Sequence, residues 1–168
     1  VRSGYPEVPR HIIHASRRAT IKWNLERKHV NMLPANLTTN EVKNSAGTEE
    51  EFLWQSSSDR TKIYQKSGMA PNAEHTVKIQ HQEVGSGLDL RRRSNTRVDK
   101  TIAGASGAPR TISFYCVGDV PIGDLPNTNE IKNVLANLIA LLASNGADTT
   151  VKFDCSGTMA DALVNGTL

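Results

Sequence analysis

A strictly alternating strand and, one short Pro-bounded connection later, a helix with a continuous apolar stripe occupy Arg110 to Ser144. Together they restrict the fold more than any other part of the chain. In Thr111 to Val117, Ile112, Phe114 and Cys116 fall on one side and Ser113, Tyr115 and Val117 on the other, the period of two of a strand with one apolar face. In Asn129 to Ala143, Ile131, Val134, Leu135, Leu138, Leu141 and Leu142 recur at helical spacing and form a stripe that must be covered. Asn127 or Thr128 predicts the helix start, with Asn127 and Glu130 approximating a capping box, and Asn145-Gly146 predicts its end. The expectation is a helix laid on the apolar face of a sheet, with the sheet's other face free for another task.

The remaining chain supplies that sheet. Val1 to Arg18 carries Gly4, Pro6, Pro9 and several basic residues without a sustained period. It reads as a basic N-terminal arm, either draped on the surface or touching nucleic acid or a neighbouring subunit. The rest, residues 19–168, reads as a single domain, with strands to about 118 and helices at about 128–144 and 157–164. Thr20 to Leu25 alternates, and Arg27 to Thr48 holds room for one short edge strand. Glu50 to Gln55 and Thr61 to Lys66 predict a hairpin around Ser56 to Arg60. His75 to Val84 alternates cleanly, Gly85-Ser86-Gly87 turns the chain, and Arg91 to Ile102 returns before the small-residue loop Ala103 to Pro109. Asp148 to Ser156 is irregular or briefly extended, and Thr158 to Val164 predicts a second helix with Met159, Ala162 and Leu163 inward. Strands in succession followed by helices point to an α+β domain, an antiparallel sheet with helices on one face.

Composition narrows the function. A hydrophobic content of 38% is modest for 168 residues, so part of the core is expected to come from a partner subunit. Net charge is only +3, but Lys and Arg cluster in Val1 to His29 and Arg91 to Lys100, a distribution suited to a polyanion. There is no apolar run of about 18 residues to span a bilayer, and Val1 to Asn24 lacks the apolar centre of a signal peptide. The expectation is assembly in a cytoplasm with no membrane partner. Asn36-Leu37-Thr38 and Asn165-Gly166-Thr167 then fit the glycosylation pattern by chance. Cys116 and Cys155 match no zinc or redox spacing and read as buried free thiols.

No enzyme or cofactor signal stands out. Gly85-Ser86-Gly87-Leu88 lacks the later glycine of a dinucleotide fingerprint, and Gly104 to Gly107 lacks the Lys and hydroxyl residue of a phosphate loop. The pairs His11/His14 and His75/His81 have no neighbouring Cys or paired carboxylate to complete a metal site. No nucleophile–base set is suggested by spacing. The expectation is therefore a protein without catalysis, cofactor or metal.

If helices cover Val77, Ile79, Val98, Ile112, Phe114 and Cys116, the opposite face displays Lys78, Gln80, Gln82, Arg93, Asn95, Arg97, Ser113 and Tyr115. Lys and Arg supply charge for phosphates, Asn and Gln can read base edges, and Tyr115 offers a surface on which an unpaired base can stack. The alternatives are a solvated sheet face with no ligand, and a cellular RNA-binding or regulatory module that uses the same face without forming a shell.

Four segments carry a family resemblance: His75-Thr-Val-Lys-Ile-Gln-His-Gln-Glu-Val84, Arg92-Arg-Ser-Asn-Thr-Arg-Val-Asp-Lys100, Phe114-Tyr-Cys-Val-Gly-Asp-Val-Pro121 and Leu138-Ile-Ala-Leu-Leu-Ala-Ser144. In their order and spacing, over about Phe52 to Leu168, the chain resembles the coat proteins of small single-stranded RNA bacteriophages, the leviviruses and their relatives. The resemblance implies an N-terminal hairpin, a five-stranded antiparallel sheet, two C-terminal helices and an intertwined dimer in which each subunit's helices clasp the other's sheet. It implies an icosahedral shell, typically about 180 copies in ninety dimers, with the sheet facing the genome. It also implies that this face binds a genomic RNA stem-loop, repressing replicase translation and marking the genome for packaging into the virion. By strand position, Lys78, Gln80, Arg93, Asn95, Arg97, Ser113 and Tyr115 would hold RNA, and Ile131, Val134, Leu135, Leu138 and Leu142 would form the dimer seam. The chain departs from the family in its length, in Val1 to Arg18, and in the short Ala103 to Pro109 loop, whose lack of cysteine argues against subunits linked covalently there.

Overall fold

A computed structural model describes residues 33–70, 72–125, 127–146 and 150–167. The arm Val1 to Arg18, the strand expected at Thr20 to Leu25 and the pair His11/His14 lie outside the described residues. Residues 34–168 form one compact unit. It contains five strands, β1 (Phe52–Ser58), β2 (Thr61–Lys66), β3 (His75–Val84), β4 (Arg91–Ala103) and β5 (Pro109–Val120), followed by α1 (Asn129–Leu142) and α2 (Thr158–Asn165). The strands form one antiparallel sheet in the order β1-β2-β3-β4-β5, each beside its neighbour in sequence. This is the expected α+β architecture.

Strand ends follow local chemistry. The hairpin between β1 and β2 is tighter than the serine run suggests, because Ser56 to Ser58 stay in the strand and only Asp59 and Arg60 turn. Arg60 reaches φ 58° to do so, and a register shift between Trp54 and Ser56 takes up the extra residue. The β3–β4 turn is held from outside: Gly123 N–H donates to Leu90 O at 2.9 Å. A side chain at Gly123 would press on the carbonyl oxygens of Gly87 and Leu88, the latter at 2.7 Å. Gly123→Ala should therefore destabilise the fold by about 1–3 kcal/mol, as overpacking against unyielding backbone does. Urea unfolding reads this directly, and an unshifted midpoint would mean that the two turns do not touch.

Three local expectations need correction. Of Arg27 to Thr48, residues 27–32 lie outside the described residues and residues 33–48 form no strand; Leu37 bridges to Phe52 and Lys43 to Glu49 only in isolated pairs. Pro34 and a turn closed on Asn44 Oδ1, which accepts from Ala46 and Thr48 N–H, interrupt any ladder. The helix start is not a capping box: Thr128 is the cap residue without a side-chain bond, Asn127 Oδ1 accepts from Asn129 N–H, and Glu130 is engaged with Asn133. The cysteines are free but not buried, with Cys116 half-buried and Cys155 exposed.

The core is small and sits at one side of the apolar face. Phe52 and Tyr64 are fully buried with Leu37 and Val77, flanked by Val42 and Ile79. The segment after Pro34 lies over β1–β3 and is tied down where Tyr64 Oη donates to Pro34 O at 2.9 Å and Asn36 Oδ1 accepts from Trp54 N–H. Among the described residues no such cover reaches β4 and β5. Ile112 is 48% and Phe114 58% exposed. No residue of α1 is buried, so the helix does not close onto its own sheet as the periodicity alone suggests.

Candidate nucleic-acid interface

Register decides which side chains share a face. Val77 pairs with Val98 and Val98 with Phe114, so the apolar residues align across three strands. One residue along, Lys78 pairs with Arg97 and Arg97 with Tyr115; Gln80 pairs with Asn95 and Asn95 with Val117; Gln82 pairs with Arg93 and Arg93 with Asp119. Asp99 sits between Thr76 and Ser113. All seven residues selected by strand position, Lys78, Gln80, Arg93, Asn95, Arg97, Ser113 and Tyr115, thus lie on one face in adjacent cross-strand rows. Neighbours within a row have Cβ atoms about 4.5–5.5 Å apart.

The face is polar, hydrogen-bonded and only partly open in charge. Tyr115 is 68% exposed, with Val117 exposed beside it. Arg97 Nε lies 2.8 Å from Asp99 Oδ1, its Nη2 donates to Ser113 Oγ at 3.1 Å, and the Ser113 hydroxyl donates to Asp99. Asp119 takes Arg91 at 3.0 Å and Arg93 at 3.4 Å. Partial burial pushes Asp99 up, but the bonds from Ser113 and Arg97 and the charge of Lys78 outweigh it and hold the carboxyl below its ordinary value. The hydrogen bond from Arg91 leads the causes that hold Asp119 low. Asn95 Oδ1 is buried and, among the described residues, has no hydrogen-bond partner. The RNA-binding set leaves out Asp99, Asp119 and Val117, although alternation puts Asp99 in one row with Arg91, Arg93, Asn95 and Arg97, and Val117 on the side of Ser113 and Tyr115.

The opposite face carries the other candidate set. Ile131, Val134, Leu135 and Leu138 look across a cleft of about 480 Å³ toward Thr96, Cys116 and Val120, while Leu142 lies outside its lining. Leu141, Leu142, Leu163 and Val164 are exposed as well. Among the described residues, the apolar row of β4–β5 and the helix stripe therefore both lack full cover.

The paired histidines separate. His81 Nδ1 lies 2.8 Å from Ser94 Oγ, whereas His75 is buried edge-on to Phe52, with Nδ1 3.6 Å from Glu50. Burial pushes the His75 imidazole below its ordinary value; Glu50 opposes this, and Lys100 and Lys66 reinforce it. The unfolded chain thus takes up this proton at a higher pH than the folded one. The His75 contribution is complete above about pH 6.5 and is lost as pH falls from there. Glu50, held low by its bond from Lys66, loses its contribution only at more acid pH, below the ordinary carboxylate value. Urea unfolding between pH 7.5 and 5.5 should show wild type losing stability relative to His75→Gln; parallel curves would place no buried neutral imidazole there.

No family model and no curated protein matches the chain. Solved structures do match it in fold. The coat protein of bacteriophage EMS014 superposes with a TM-score of 0.62 at 10% identity, covering 82% of this chain and 99% of that one. A virus-like particle of the same bacteriophage gives 0.54 at 11% identity, over 71% of this chain and 88% of that one. At such identity the likeness is one of fold: this chain has the fold of a phage coat protein.

Proposed function

We propose that the chain is the coat protein of an RNA phage, a structural protein without catalysis that dimerises, closes an icosahedral shell and holds genomic RNA on its polar sheet face. The observation that carries this reading is the division of the sheet. By register the polar side chains named above share one face, while the other carries the apolar row Val77, Val98 and Phe114 with Ile79, Ile112 and Cys116 and, toward one end, the pair Glu83 and Arg92; among the described residues it is covered over β1–β3 by residues 34–50 and open over β4–β5. A second copy fits that opening, since the α1 stripe has the length and chemistry to lie on Ile112 and Phe114 of another subunit. Burial of each such aliphatic or aromatic side chain is worth about 1.5–3 kcal/mol, enough in sum to hold an obligate dimer. The fold shared with the coat protein of bacteriophage EMS014 supports the same reading.

In that arrangement the polar face would line the shell and meet single-stranded RNA. Tyr115 would stack on an unpaired base, Asn95 and Gln80 would bond base edges, and Lys78 would neutralise phosphate. A hairpin held there could also repress translation of the message it belongs to. Purification after nuclease treatment tests the RNA part: the reading predicts that protected RNA is recovered with the protein, and protein free of nucleic acid under those conditions would contradict it.

A further inference from the structure

We infer that Asp99 and Asp119 are specificity-determining residues, which mute the arginines of the polar face so that it selects RNA by hydrogen bonding and stacking and discriminates against bare polyanions. The inference rests on the RNA-binding reading above. Four cations stand on this face of β3–β5: Lys78, Arg91, Arg93 and Arg97. Three of them are within ion-pair distance of a carboxylate, Arg97 with Asp99 at 2.8 Å and Arg91 and Arg93 with Asp119 at 3.0 and 3.4 Å. Among the described residues of the face, Lys78 is the cation with no such pair.

A phosphate approaching Arg97 must share its guanidinium with Asp99, which is fixed from a second side by Ser113. One approaching Arg93 meets the same obstacle in Asp119. Each carboxylate repels phosphate and engages a guanidinium Nε that phosphate would otherwise approach. A ligand with only phosphates to offer therefore meets a face on which two carboxylates offset half of the charge of four cations. A ligand with bases finds exposed Tyr115 and Val117 and, beside them, the half-buried amides of Gln80 and Asn95. The acids thus withdraw the sequence-blind part of binding and leave the sequence-reading part in place.

Salt dependence reads this directly, because each phosphate contact to a single strand contributes a slope of about −0.7 in log K against log salt. Fluorescence anisotropy of the full chain, below the concentration at which particles form, would use two probes: a random-sequence RNA hairpin pool and inorganic polyphosphate. For wild type the expected hairpin slope is shallow, about −0.7 to −1.4, the equivalent of one or two contacts. Asp119→Asn, which frees two arginines, should steepen it by about 1.4, and Asp99→Asn, which frees one, by about 0.7. Both variants should bind polyphosphate several-fold more tightly than wild type at low salt. A steep slope already in wild type, or an unchanged slope in both variants with RNA still bound, overturns this inference and leaves the RNA reading intact. Binding of neither probe by any of the three proteins overturns the RNA reading, and this inference with it. Thermal unfolding of each variant confirms that the near-isosteric replacements keep the fold.

Discussion

Leu138→Asp is expected to abolish dimerisation and, with it, all particle formation. Leu138 lies in the middle of the α1 stripe and lines the cleft that faces the open half of the sheet. Within one chain it is partly exposed, so the substitution leaves untouched the core of Leu37, Phe52, Tyr64 and Val77. Strand content should survive. In the proposed dimer the same position is buried, and the change both removes a leucine worth about 1.5–3 kcal/mol and asks an ionised carboxylate to enter an apolar seam, a larger penalty still. Light scattering should find a species near the single-chain mass of 18.3 kDa. Wild-type particles from this variant would show that the stripe is not an interface.

Tyr115→Ala is expected to weaken binding of the RNA hairpin recovered from the particles by about 1–3 kcal/mol, the range of one base–aromatic stack. The ring is exposed and packs on no core residue, so its removal should cost little folding stability. Arg97→Ala should act in the same direction but for a different reason. It deletes a guanidinium anchored by Ser113 and also leaves Asp99 unpaired on the binding face, so repulsion adds to the lost hydrogen bonds. Filter binding at fixed salt measures both variants. Unchanged affinity in both would move the RNA site off this face.

Much of this was legible in the residues themselves. The alternation of β3, β4 and β5 assigned each side chain to its face, because a period of two leaves only the choice of register, and a slip by one would have put Phe114 among the arginines. The α1 stripe likewise marked the helix and its apolar side. What periodicity does not say is whose sheet a stripe covers: apolar spacing encodes a demand for burial, and the same spacing serves a helix folded back on its own chain or reaching toward another. It was equally silent on pairing across strands. Arg93 and Asp119 are distant in sequence, and only the β4–β5 register makes them partners, so alternation shows a basic stripe where the fold has a half-neutralised one. In the described part of Arg27 to Thr48 the scattered apolar Leu33, Leu37 and Val42 allow an edge strand, but Asn44 Oδ1 is spent on a turn and Pro34 O on the Tyr64 hydroxyl instead of a ladder.

The central claim, that this chain builds a closed RNA-containing shell from dimers, is tested most directly by electron microscopy of the purified full-length protein. Uniform icosahedral particles of megadalton mass, with RNA in their interior, are the expected result. A stable monomer or small oligomer of the 18.3 kDa chain under assembly-permitting conditions would contradict it.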